Sequence, residues 1–469
     1  MVFASLEFIT IFLPLFLILY SLVSSKFKNT VLLLSSWVFY GWWSPVFLIL
    51  FMGLTLNGWL GGLFIDKTKT ENGRKYALFT FIFSNIGLLC WFKYANIVVL
   101  TTNQFREYAG KLPYEWESVL LPIGLSFIVL QSISYLIDVY RKTIPVDRSL
   151  VSFGAYQSMF VHLIAGPIIR YDWVKKELIN RPFDLPHLFA GARRFMIGLS
   201  MKVLIADTIA PIADTVFKIS TPSFVDSWIG CLCYSLQLFF DFSGYSAMAI
   251  GLGMMLGFRF PENFNNPYLA TSIQDFWRRW HISLSSWIKD YLYIPLGGNR
   301  KGSIRTYINL ILTMGIAGLW HGGDSWNFLF WGLMHGIALC LDRAWSRAKS
   351  MPKIPEFVSY ILTLIFVMLA WTIFRAHTFD GAMNMYMGQF GLNDFGISDT
   401  LSAKIRWIHI MTILLAIFCI ALQKIKMPEK FLAKGMVELV RVVWPIVGFL
   451  IAFALISSRG ESPFLYFQF

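Results

Sequence analysis

Apolar runs of membrane-span length recur from one end of this 469-residue chain to the other, separated by short loops whose charge alternates. Each run is long enough to cross a hydrocarbon core of about 30 Å. None shows the residue-by-residue alternation of a barrel strand, so the backbone must satisfy its hydrogen bonds within helices. Charged residues make up only 14 % of the chain, against about 25 % in a soluble domain. The fold class expected is an all-α polytopic membrane protein.

The first run, Phe8 to Leu22, has no basic residue before it and no small-residue cleavage site after it, so it reads as a retained span. Lys67, Lys69, Arg74 and Lys75 mark one basic loop, and Arg141, Lys142 and Arg148 another. Between them the 101–117 loop leans acidic through Glu107, Glu115 and Glu117. Basic loops face the cytoplasm, which puts the N-terminus outside. The middle is less regular. The segment opened by Arg193 and Arg194 holds Lys202 and Asp207 and reads as too charged for a simple span. The run from Trp228 to Phe258 reads as interrupted at Asp241 to Ser246, and 261–267 as a turn cluster. Two apolar helices flank a break at His321 to Ser325, followed by a basic stretch from Arg343 to Lys353. Three spans close the chain, with Lys424, Lys426, Lys430 and Lys434 in a cytoplasmic loop and the tail from Pro463 to Phe469 outside. The expectation is a single domain, 1–469, of about eleven transmembrane or re-entrant helices.

The net charge of +13 sits in these loops and marks topology, not nucleic-acid binding. The five cysteines (Cys90, Cys231, Cys233, Cys340, Cys419) lie in apolar runs, without zinc spacing or a disulfide framework. No nucleophile elbow, phosphate loop, dinucleotide fingerprint or His-Glu-x-x-His is present, and no metal ligand set is expected.

Chemistry concentrates between Ser272 and His335, which holds three of the seven histidines. A titratable ring at membrane depth marks a functional site by default, because it needs a cavity or a partner. A helix begun at Ile273 would align Phe276, Trp280, Leu284, Trp287 and Tyr291 on one stripe, with Arg278 and Arg279 elsewhere. That pattern equally fits an interfacial anchor. His321 follows Gly315 and Gly318, which admit close helix approach, and precedes Gly322 and Gly323, where the backbone can leave the helix. A histidine buried there stays neutral and can accept a proton; the alternative is a ring satisfied by a backbone carbonyl. His335, between Gly332 and Gly336, reads as packing, and His162, His187, His377 and His409 as structural or surface residues.

Several stretches together resemble one family. Phe92-Lys93-Tyr94-Ala95-Asn96, Asp241 to Tyr245, Phe276-Trp277-Arg278-Arg279-Trp280-His281, Leu296-Gly297-Gly298-Asn299-Arg300 and Gly318 to Gly322 are similar to membrane-bound O-acyltransferases. The match is to the bacterial branch of the alginate O-acetylation membrane subunit. Ala247 departs from it, standing where that branch usually has aspartate. The resemblance implies helices around a central tunnel, with His321 as the catalytic base and His281, at the second motif position, as a catalytic partner that orients the donor or hydrogen-bonds the developing oxyanion. It further implies transfer of an acetyl group from a cytoplasmic thioester, acetyl-CoA being the donor expected, with no bound cofactor. The acetyl group would pass through an esterase-like extracytoplasmic partner to a polysaccharide such as alginate, in the bacterial inner membrane. In that reading Arg278 and Arg279 attract donor phosphates, and Trp277, Trp280, Trp320 and Asp324 complete the substrate site. D-alanyl or other acyl transfer to a cell-wall polymer is one alternative. A transporter-like channel with histidines as proton relays is another, although no paired broken helices in two halves are visible. A non-catalytic scaffold is a third, and it leaves the setting of His321 unexplained.

Overall fold

The computed structural model describes all residues except 165, 349–351, 353, 424–433, 461–463 and 466–469. Lys353, Lys424, Lys426, Lys430, Pro463 and the last four residues, assigned above to cytoplasmic loops and an outer tail, therefore lie outside the described residues. Among the described residues the regular structure is helical throughout. Six helices are long and apolar enough to cross a membrane: Pro45–Lys67, Glu71–Tyr108, Leu185–Val216, Phe224–Met255, Glu356–Arg375 and Arg441–Arg459. Phe8–Leu22, Leu125–Tyr140 and Trp407–Leu422 are shorter apolar helices. The chain is a polytopic helical membrane protein.

It divides into two compact units, Met1–Phe195 with Ala247–Pro261 and Met196–Ser246 with Glu262–Phe469. The first carries α1 (Leu13–Leu22), α2 (Lys28–Gly41), α3 (Pro45–Lys67), α4 (Glu71–Tyr108), α5 (Leu125–Tyr140), α6 (Leu150–Ser158), α7 (Phe160–Leu163), α8 (Tyr171–Ile179) and the start of α9 (Leu185–Ser200). Its core is aromatic: Phe8, Phe12, Phe39 and Phe160 meet with ring centroids 5.3 to 6.2 Å apart. Such pairs add to the burial of their area. α4 runs on to Tyr108, beyond the span read from the sequence. At about 1.5 Å per residue it exceeds the thickness of a bilayer core.

The second unit carries α10 (Asp207–Val216), most of α11 (Phe224–Met255), α12 (Ile273–Arg279), α13 (Ile282–Ile288), α14 (Ser303–His321), α15 (Asn327–Arg347), α16 (Glu356–Arg375), α17 (Phe379–Gln389), α18 (Asp399–Lys404), α19 (Trp407–Leu422) and α20 (Lys434–Arg459). Two sequence expectations are corrected here. The charged segment after Arg193 is a continuous apolar helix to Val216, and α11 runs unbroken through Asp241 to Ser246. The reason is shared. Lys202 Nζ lies 2.7 Å from Asp241 Oδ1 and 3.1 Å from Asp207 Oδ1, so the buried lysine is paired with both carboxylates inside the fold. Asp241 Oδ2 also accepts the backbone N–H of Leu465, and Ser243 Oγ donates to Phe239 O within the helix.

Candidate functional site

The site is built on two adjacent constructions in the second unit, a broken helix and a tight hairpin. The single helix expected from Ile273 is two helices, α12 and α13, parted at Trp280 and His281. His281 takes φ 43° and ψ 54°, a left-handed conformation uncommon for a side chain with a Cβ. Asn263, read above as a turn residue, holds it there. The Asn263 Oδ1 accepts from His281 Nδ1 at 3.1 Å, from Ser283 N at 3.2 Å and from Ser283 Oγ at 2.9 Å. Its backbone carbonyl accepts from Ile282 N, and its Nδ2 donates to Ser246 Oγ. Since the oxygen accepts, the His281 proton sits on Nδ1; Nε2 is buried and, among the described residues, has no hydrogen-bond partner. The ring stands edge-on to Phe242 at 4.7 Å. Although the helix breaks, Phe276, Trp280, Leu284, Trp287 and Tyr291 are all buried.

The hairpin α14–α15 closes through glycine. A Cβ on Gly318 would lie 3.0 Å from the Gly332 Cα and collide with the Phe328 carbonyl, so only glycine permits this approach. Gly315 is different: a methyl there would meet Leu333 at an ordinary 3.4 Å. At Gly322 the chain turns extended (φ −136°, ψ 145°) and ends α14 directly after His321. His321 is 5 % exposed, ringed by Trp320 and Trp331 at 5.0 Å and Phe374 at 5.6 Å.

That small exposure opens into a cavity of about 490 Å³ between α12–α13 and the hairpin. His321, Ala317, Met314 and Thr313 supply one wall, and Trp277, Arg278, Leu284 and Ser285 another. Of the residues singled out from sequence, His321, Trp277 and Arg278 line the cavity. The others are elsewhere. Arg279 pairs with Asp275 at 2.9 Å. Trp280 packs among Phe276, Phe264 and Trp371. Trp320 flanks His321, and Asp324 is exposed in the turn beyond it. His281 is fully buried off the cavity. His335 accepts the indole N–H of Trp277 at 3.2 Å and so braces the cavity wall.

The other histidines have separate settings: His162 is buried against Phe260, His187 pairs with Asp184, His377 lies 3.1 Å from Arg375, and His409 caps α19. The sequence assigned no site role to Gln274, Lys289, Asn299, Thr313 or Arg343, all of which line the cavity. Among the described residues no group of three or more His, Cys, Asp or Glu is placed to hold a metal ion. Chemically, the arrangement offers one nearly buried imidazole in the wall of a largely apolar cavity that exposed cations also line, a form suited to proton transfer on a substrate with an anionic tail.

Residues 75–389 match the membrane-bound O-acyltransferase family. Over its full length the chain is 42 % identical to a probable alginate O-acetylase of Azotobacter vinelandii, with both chains covered completely. A probable alginate O-acetylase of Pseudomonas aeruginosa is 42 % identical over 90 % of this chain and 81 % of its own. A peptidoglycan O-acetyltransferase of Helicobacter pylori is 38 % identical over 82 % of this chain and 79 % of its own.

Proposed function

The chain belongs to the membrane-bound O-acyltransferase family and is an O-acyltransferase, and from that premise we propose that it moves an acetyl group from a cytoplasmic thioester, acetyl-CoA, across the membrane for O-acetylation of an extracytoplasmic polysaccharide such as alginate. The observation that carries this reading is the end-to-end likeness to an alginate O-acetylase, with His321 in the wall of the cavity. His321 takes the proton of an attacking hydroxyl as its oxygen bonds to the thioester carbonyl carbon. The C–S bond then breaks, and the proton passes to the departing thiolate. A positioned base of this kind is worth about 10²–10⁴-fold in rate. Apolar walls from Trp277, Met314 and Leu284 keep water from the thioester.

Arg278, exposed in the cavity lining, attracts donor phosphates, while Arg279, engaged with Asp275, supports α12. His281 completes the histidine pair as a positioning residue: it fixes the α12–α13 break from which Trp277, Arg278 and Ser285 reach the cavity. Trp280 and Trp320 back the two histidines, and Asp324 marks the acceptor side of the hairpin turn. The basic mouth supports a cytoplasmic donor entrance. The cavity is the donor half of a tunnel, with the hairpin α14–α15 and the shorter helices bringing the membrane elements to about eleven in one catalytic domain. An N-terminus outside the inner membrane and an esterase-like extracytoplasmic partner that receives the acetyl group complete the scheme. The peptidoglycan O-acetyltransferase likeness favours a second acceptor, a cell-wall polymer. The test is to delete the gene, measure ester-linked acetate on the secreted polysaccharide and on the cell wall, and restore it from a plasmid. Loss from the polysaccharide is expected; loss from the wall alone selects the second acceptor, and no loss from either refutes acetyl transfer.

A further inference from the structure

Three cations, Arg278, Lys289 and Arg343, line the cavity, and among the described residues no carboxylate does. Arg278 and Lys289 are exposed at the rim. Arg343 is different: its Nε and one Nη are buried and, among the described residues, have no hydrogen-bond partner. A guanidinium that gives up water without gaining an acceptor is held at a loss unless a ligand completes it. Two parallel N–H groups in a planar fork match the oxygens of a phosphate.

The hairpin fixes how far this fork stands from His321. α14 and α15 cross at Gly318 and Gly332 and run antiparallel, since Gly336 lies over Ile311 and Cys340 Sγ reaches Tyr307 O. His321 is three residues past the crossing on one helix and Arg343 eleven past it in the other direction, so their backbones are separated by about 21 Å of helical rise. An acyl phosphate, whose anion is bonded directly to the acyl carbon, cannot span that. A phosphopantetheine thioester can: about fourteen bonds join its phosphorus to the thioester carbon, on the order of 17 Å when extended. The arginine side chain covers the remainder. Between the two ends Thr313 presents a buried hydroxyl with no hydrogen-bond partner among the described residues, available to an amide of the arm.

Resting on the acyltransferase reading above, we propose that Arg343, assisted by Lys289, binds the phosphate of a 4′-phosphopantetheine arm and thereby selects a long-armed thioester donor. The same arm occurs on coenzyme A and on acyl carrier proteins, so the recognised unit is the phosphopantetheine itself. The test uses full-length protein in phosphatidylcholine nanodiscs, whose headgroup carries no net charge and is the same for every ligand compared. Binding of S-acetyl-pantetheine, S-acetyl-4′-phosphopantetheine and acetyl-CoA is measured for wild type, Arg343→Gln and Arg343→Lys. Arg343→Gln is expected to weaken the two phosphorylated ligands by about 10- to 100-fold and leave S-acetyl-pantetheine unchanged, which also certifies its fold. Arg343→Lys should recover part of the loss. If wild type binds both pantetheine forms equally and only acetyl-CoA tightly, the contact is to the nucleotide and the proposal falls. Equal losses for all three ligands, or none for any, overturn it as well. If wild type binds none of the three, the thioester-donor reading itself fails, an outcome distinct from failure of Arg343 alone.

Discussion

The indole Nε1–H of Trp277 donates to Nδ1 of His335 at 3.2 Å, which ties a wall of the cavity to the middle of α15. The two aromatic rings stand nearly perpendicular at 5.1 Å. His335 is fully buried and does not line the cavity. His335→Ala should therefore act on stability, leaving a buried N–H unpaired at about 1–3 kcal/mol. Thermal unfolding of the purified variant should shift down, with transfer activity per folded molecule within a few-fold of wild type. A correctly folded variant that has lost all transfer would make His335 part of the chemistry.

Asn263 and His281 should behave as one unit. Asn263→Ala removes the acceptor for His281 Nδ1 and two Ser283 donors, freeing the left-handed turn to relax. Each single variant should lower transfer, and the double variant Asn263→Ala/His281→Ala should be little worse than the worse single one. Simple additivity of the losses in a double-mutant cycle would show that the two act independently.

Lys202→Met would strand two carboxylates in the bundle, an effect of about 3–5 kcal/mol. Asp241 is 2 % exposed and Lys202 1 %, so neither charge can reach water. Membrane yield of the single variant should collapse, and Lys202→Met/Asp241→Asn should recover much of it. Normal yield and thermal stability of Lys202→Met would mean that the pair contributes nothing to folding.

These contacts show what a sequence can and cannot reveal here. Span-length apolar runs were readable because each depends on neighbours along one helix, whereas the stripe from Phe276 to Tyr291 was assigned to one helix and is carried by two. The setting of His321 was readable through Gly318 and Gly322, where a Cβ would collide with Phe328, whereas Gly315 leaves room for a methyl group. By contrast, the break at His281 depends on an asparagine 18 residues earlier, and the Lys202 pair on an aspartate 39 residues later. Charge alone made Asp241 look like an interruption of α11. Arg343 reads in sequence as the start of a basic loop; it reaches the cavity only because Gly318 and Gly332 bring α14 and α15 together.

The most direct measurement is the rate of acetyl transfer by His321→Ala in nanodiscs, alongside its affinity for S-acetyl-4′-phosphopantetheine. His321 is nearly buried in the cavity wall, so donor binding should stay near the wild-type value. Transfer should fall by about 10²-fold or more, as expected when a general base is removed. Transfer near the wild-type rate by a well-folded His321→Ala would contradict the assignment of His321 as the base.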